Sequence, residues 1–248
     1  MTYRDRKSMI LVAVIGSLTA SEAADMPMYS KAAPLPERIE YGNLFFGVDW
    51  NSHKSSAGYI GMLYAPSGMH QSGLRLAGFG LIGHYEYHSD IDLFKGNFVS
   101  ADAMAGWSHV FSYGALTFLG GVNYQDHRVR PNDPSNPVQG SKAGAKIQGD
   151  LWLNPTPSTL LYGLASYSTA FDTYYIHGKW GYDIFKSKTF FGPEVIALGN
   201  DRTDQVRLGA HVTGISIGAA KLNISGGWMK ERGEGAGAYT QATVDFSF

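Results

Sequence analysis

The chain ends in Tyr239-Thr-Gln-Ala-Thr-Val-Asp-Phe-Ser-Phe248. One parity of this decapeptide is Thr240, Ala242, Val244, Phe246 and Phe248; the other is Tyr239, Gln241, Thr243, Asp245 and Ser247. A period of two with one apolar and one polar side is the mark of a strand with unlike faces. A final aromatic is also what the closing strand of a bacterial outer-membrane barrel presents. The reading turns on whether the pattern repeats upstream.

It does. Gly42, Leu44, Phe46, Val48 and Trp50 alternate with Tyr41, Asn43, Phe45, Gly47 and Asp49, giving a first strand over Tyr41–Trp50. Further strands are predicted over 57–65, 73–87, 98–111, 115–125, 142–152, 159–168, 173–185, 189–198, 205–213 and 221–228, with the closing strand over 239–248. That makes about twelve, an even number. His88–Gly96, Asp126–Ser141 and Lys230–Gly237 read as the long polar loops, the second braced by Pro131, Pro134 and Pro137. With the first strand starting in the periplasm, these three fall outside the cell and the shorter turns inside, as in membrane barrels. The fold expected is all-β: an antiparallel up-and-down transmembrane β-barrel over 41–248. Its closing strand would pair with the first, so that no edge is left unpaired in lipid. Phe248 would act as an assembly signal.

Composition agrees. The 248 residues include 31 Gly, 15 Tyr and 13 Phe, only 17% are charged, and mean hydropathy is −0.15. No stretch of eighteen apolar residues could cross a bilayer as a helix. Arg4, Arg6 and Lys7 before the apolar run Met9–Leu18, then Ser21-Glu-Ala-Ala24, read as a signal peptide over 1–24. Residues 25–40, with Pro27, Pro34 and Pro36, read as a periplasmic lead-in. Loss of the leader removes three basic and two acidic residues and takes the formal net charge from −1 to −2, which gives no electrostatic reason to expect nucleic acid as a partner. Without cysteine there is no disulfide, thiolate metal site or thiol nucleophile.

A soluble barrel would turn the apolar parity inward instead. Trp50, Trp107, Trp180 and Trp228 lie on that parity, three of them near strand ends, which suits an interfacial girdle and outward placement. The other parity then lines the lumen with Asp49, Arg75, Asp102, Lys142, Lys146, Asp150, His177, Lys179, Asp183, Glu194, Arg207 and Asp245. Both signs are present, so interior salt bridges are expected ahead of a conducting pore. Trp152, Tyr167 and Tyr175 could stack on sugars, but girdle and packing roles are expected ahead of that. Asp126, Asn132, Asp133 and Asn136 could ligate a hard cation, but proline-braced turn chemistry explains them more simply. His84, His88, His109, His127, His177 and His211 are present, yet no Gly-x-Ser-x-Gly elbow or His-Glu-x-x-His motif accompanies them. No catalytic residue, metal or cofactor is expected.

Four segments together resemble one family: Phe45-Phe-Gly-Val-Asp-Trp50; Gly121-Val-Asn-Tyr-Gln-Asp-His127 continuing to Asp133-Pro-Ser-Asn-Pro-Val-Gln-Gly-Ser141; Ser166-Tyr-Ser-Thr-Ala-Phe-Asp-Thr173; and Gly192-Pro-Glu194 with Ala197-Leu-Gly-Asn200. The chain resembles the BcsS family, the cellulose-biosynthesis proteins of alphaproteobacteria, over essentially 41–248. The resemblance implies a role in cellulose production but no active site that can be carried over. Together with the barrel it suggests a non-enzymatic outer-membrane accessory of cellulose biosynthesis or export. Its expected partners are outer-membrane lipid and cellulose chains or other subunits of the synthase complex. Lys142, Lys146, Asp150, Trp152, Tyr175, His177, Lys179, Glu194 and Arg207 would face the lumen or a glucan. Asp126, His127, Asp133, Asn136 and Asp172 would make contacts at the outer surface. A small porin and an outer-membrane enzyme acting on lipid or polysaccharide are the alternatives.

Overall fold

The computed structural model describes residues 39–89 and 92–248; the expected leader and nearly all of the lead-in lie outside them. Every regular element among the described residues is a strand: β1 (Gly42–Asn51), β2 (Ser56–Tyr64), β3 (Gly73–Ser89), β4 (Asp92–Phe111), β5 (Gly114–Arg130), β6 (Gly140–Leu153), β7 (Thr159–Ser168), β8 (Thr173–Tyr182), β9 (Phe190–Gly199), β10 (Asp204–Ile217), β11 (Ala220–Glu231) and β12 (Gly235–Ser247). Each pairs antiparallel with its sequence neighbour, and β12 pairs with β1 to close the barrel. The seam register runs from Asn43 opposite Ser247 to Asn51 opposite Tyr239. Phe248 extends it, its amide and carbonyl bonding to Gly42 at 3.0 Å each way. We call this end the lower rim and the opposite end the upper rim.

The apolar parity faces out. Phe118, Val122 and Ile147 are more than 60% exposed, and Trp50, Trp107, Trp180 and Trp228 all lie on the exterior. An edgeless sheet leaves no backbone group unpaired in hydrocarbon, and its apolar exterior suits lipid contact.

The interior is packed as well. Ile196, Met229 and Tyr239 are buried inside the barrel, with Tyr175 and Leu198 against them. Phe79 meets Phe45 and Tyr59 at ring distances of 6.3 and 6.2 Å. Glycines make room for these rings. A β-carbon at Gly61 would strike Phe45, one at Gly47 would strike Tyr59, and one at Gly209 would strike Tyr239. At these positions glycine is side-chain space inside the lumen. At Gly214, whose φ is +90°, β10 carries a bulge between Val212 and Ile215, and the glycine amide bonds to Asn223 Oδ1 at 2.9 Å.

The expected strand bounds change most at the upper rim. Segments 88–96 and 230–237 are largely strand, and 126–141 is strand at both ends. β3 and β4 pair up to Ser89 opposite Asp92. Asp126–Arg130 continue β5, with Asp126 between Val99 and Ser141, and only 131–139 form the loop. β11 and β12 pair up to Glu231 opposite Gly235. The loop-length asymmetry inferred from sequence is therefore not what distinguishes the rims. The asymmetry is in the strands: β3, β4 and β5 have 17, 20 and 17 residues, against 10 each in β7, β8 and β9. The reason is a change of phase. Above Ile82, Val99 and Tyr124 the outward positions turn polar (His84, Glu86, Lys95, Asp126, Arg128), while Tyr85, Tyr87, Phe94 and Phe98 face inward. The alternation persists with its sense inverted. β8 errs in the other direction: it stops at Tyr182, and Asp183, expected on a lumen strand, instead accepts the amides of Ser187 and Lys188 at 3.1 and 2.7 Å in the following loop.

Candidate functional site

Two polar networks and a canopy occupy the interior. The first spans β8, β9, β10, β12 and β1. Glu194 accepts from His177 at 2.9 Å and from the Tyr239 hydroxyl at 2.9 Å, and Lys179 lies 3.2 Å away. His177 also contacts Tyr175 at 3.2 Å. Arg207 grips Asp49 with two bonds of 2.5 and 3.1 Å, and its guanidinium lies 5.0 Å from the Tyr239 ring centre. Glu194, Arg207 and Tyr239 are buried to 3%, 4% and 3% exposure, so side chains fill the lumen at this level. Burying the ions would be costly; pairing them offsets that cost and fixes the strands that carry them.

The second network climbs β4, β5 and β6. Lys146 forms an ion pair with Asp102. Asn123 donates to Asp102 Oδ1 at 2.5 Å, and Gln125 donates to Asn123 Oδ1 at 2.8 Å. His127 Nε2 lies 3.1 Å from Gln125 Oε1. The remaining predicted residues are more peripheral. Asp150 accepts from Gln148 at 2.9 Å. Trp152 keeps its inward parity near the lower rim, bonding to Asn154 at 3.0 Å and meeting Tyr162 edge-on at 5.8 Å. Lys142 sits at the upper rim, 5.3 Å from the Phe171 ring centre.

The canopy is centred on Tyr87. Its hydroxyl donates to Asp133 at 2.7 Å and accepts from Asn136 at 2.8 Å. Its ring stacks on Phe94 at 5.2 Å. Arg202, in the β9–β10 loop, places its guanidinium 5.1 Å from the ring centre. β3 and β9 lie six strands apart in the twelve-strand order, so this contact reaches across the mouth. Glu234 in the β11–β12 turn accepts the His88 amide at 2.8 Å, a second tie across the rim. Bonds from Ser135 and Tyr87 hold the Asp133 carboxyl below the ordinary carboxylate range. In the β7–β8 loop, the Tyr167 hydroxyl does the same for Asp172.

The five predicted surface contacts therefore separate. Asp133 and Asn136 build the canopy, and Asp172 braces a loop. Asp126 faces outward on β5, bonded to Arg128 and Ser141 at 2.9 Å each. His127, the next residue on the same strand, points inward and is buried. Sequence reading missed Tyr87, Arg202 and Phe171. Tyr87 was placed on a strand without a role, and no local pattern reveals a contact between strands six apart.

Among the described residues no serine hydroxyl bonds to a histidine ring, and no cluster of three or more His, Asp or Glu is placed to hold a metal ion.

The family described as cellulose biosynthesis protein BcsS matches residues 43–248. Solved structures with a similar chain path include the KdgM porin (11% identity, 83% of this chain and 99% of that one, TM-score 0.45). A second is the KdgM porin in complex with disordered oligogalacturonate (9%, 83% and 99%, 0.46). A third is the β domain of the Bordetella autotransporter Brka (13%, 85% and 99%, 0.45). No curated protein sequence matches the chain.

Proposed function

The chain belongs to the BcsS family of cellulose biosynthesis proteins, and on that premise we propose that it is a non-enzymatic accessory barrel of the outer membrane. After loss of its leader it would sit among outer-membrane lipids. There it would present its canopy to cellulose chains or to other subunits of the synthase machinery at the cell surface. The observation that carries the accessory role is the filled and capped interior. Ion pairs and aromatic rings occupy the lumen from Asp49–Arg207 to Glu194–Tyr239, and Tyr87–Arg202 bridges the mouth. A glucan conduit needs an open bore, whereas a scaffold needs a rigid wall and a shaped surface. The apolar exterior supports the membrane setting.

The test is deletion of the gene, with complementation, followed by cellulose yield and membrane fractionation. The reading predicts a heat-modifiable outer-membrane species, a lower or disordered cellulose product in the deletion strain, and restoration by the intact gene. Unchanged cellulose would remove the role, and recovery of the protein in the soluble periplasm would remove the setting.

A further inference from the structure

The polar ladder on β5 ends at a group with nothing to bind. Asp102 can only accept, so Asn123 must turn its amide nitrogen toward it and its carbonyl toward Gln125. Gln125 must then spend its nitrogen on Asn123 Oδ1 and on the Ala170 carbonyl at 3.3 Å, leaving its carbonyl to His127 Nε2. This fixes the tautomer: in the neutral ring Nε2 carries the proton and Nδ1 is an acceptor. His127 is 7% exposed, and its Nδ1 is buried without a hydrogen-bond partner. Buried acceptors in that condition are uncommon and call for an explanation.

The surroundings are aromatic. The Phe98 ring stacks on His127 at 5.5 Å and 11°, Tyr85 lies at 6.2 Å, and Phe171 meets it edge-on at 5.2 Å. Phe171 comes from the four-residue β7–β8 loop and is tucked into the barrel at 4% exposure. It and Asp172 have φ of +54° and +46°, left-handed values that a phenylalanine seldom adopts. The loop is held by Asp201, whose amide donates to the Phe171 carbonyl at 3.0 Å, and by the Tyr167–Asp172 bond. The site lies above the apolar belt, level with outward Asp126 and Arg128.

We infer that Phe171 is the movable cap of a sugar-binding site in which His127 Nδ1 accepts a hydroxyl of a neutral β-glucan unit and Phe98 and Tyr85 offer ring faces to its apolar side. A pyranose supplies both things the site asks for, hydroxyl donors and a face of C–H bonds, and it brings no charge that would need desolvation. The choice of a β-glucan rests on the cellulose role proposed above; the acceptor, the rings and the cap do not.

The folded, full-length barrel in detergent, with histidine labelled by ¹⁵N, is titrated with cellohexaose. The expected result is a shift of one Nδ1 resonance together with measurable binding heat. His127→Phe should abolish the shift and weaken binding about fivefold. Phe171→Ala, which removes the cap and leaves the acceptor, should tighten binding. Heat-modifiable mobility confirms that each variant is folded. Binding unchanged in His127→Phe, no binding to wild type and Phe171→Ala alike, or a shift with a uronic-acid oligomer in place of cellohexaose would each overturn the site. A failed titration with cellulose still lowered in the deletion strain removes this site and leaves the accessory role. Binding with unchanged cellulose removes the role and leaves the site.

Discussion

Strands β3, β4 and β5 obey opposite rules along their length. Below Ile82, Val99 and Tyr124 they turn leucine, valine and phenylalanine outward and place Asp102 and Asn123 inside. Above that level they turn His84, Glu86, Lys95, Asp126 and Arg128 outward and place Tyr85, Tyr87, Phe94 and Phe98 inside. The lower part follows the rule of a sheet in lipid, and the upper part follows that of a sheet in water. The short strands β7–β9 stop where the inversion would begin. The surrounding medium sets which parity is apolar, and in the proposed membrane setting the tall wall crosses from lipid into water. Its upper part supplies the aromatic hub that the loops opposite use to cover the mouth.

The sharpest break would come from the lower interior. Arg207→Met should cost about 4 kcal/mol in urea unfolding from liposomes, because Asp49 would keep a largely buried charge without its partner. Should the cost instead be near zero, the ion pair does not organise the lumen. Next in size is the exterior contrast. Val122→Arg, in the lower outward face, should cost about 3 kcal/mol in bilayers, while Arg128→Val, a few residues higher on the same face, should change stability by less than about 0.5 kcal/mol. Equal costs would erase the change of medium along β5.

Smaller effects belong to the canopy. Tyr87→Phe removes the hydroxyl shared by Asp133 and Asn136 and should cost about 1 kcal/mol. The cost should appear as faster protease nicking within 131–139 while the barrel midpoint barely moves. The smallest is a pH effect. The Asp133 carboxyl is depressed by Ser135 and Tyr87. Its contribution is therefore complete above the ordinary carboxylate range and is lost as pH falls through the depressed value. Amide protection factors in 131–139 should fall in acid while those in β7 hold, and Asp133→Asn should abolish the difference. Parallel loss in both regions would show that the canopy has no separate acid response.

The same inversion explains what could be read in advance. Tyr239–Phe248 and Tyr41–Trp50 keep one sense of alternation throughout, so closure, strand number and the inward set Asp49, Glu194 and Arg207 were legible from parity. Asp126–Arg130 also alternate, but with polar residues on the parity reserved for lipid, and they looked like loop. Phe171 could not be anticipated. A phenylalanine at a positive φ in a four-residue loop is set by the contact of its ring with His127, of its carbonyl with Asp201 and of the preceding Ala170 carbonyl with Gln125, which no local pattern records. Trp152 shows the limit in a milder form: parity put it inward, and the choice between packing and sugar contact depends on Tyr162 and Asn154 beside it.

The claim on which the account depends most is that the interior is filled and capped, so that the barrel is a scaffold and not a conduit. Conductance of the purified, folded protein in planar bilayers tests it most directly. The account predicts membranes that stay silent for the wild type while insertion is verified by protease protection. A steady open channel of wild-type protein, passing small ions without any substitution at Arg207 or Tyr87, would contradict it.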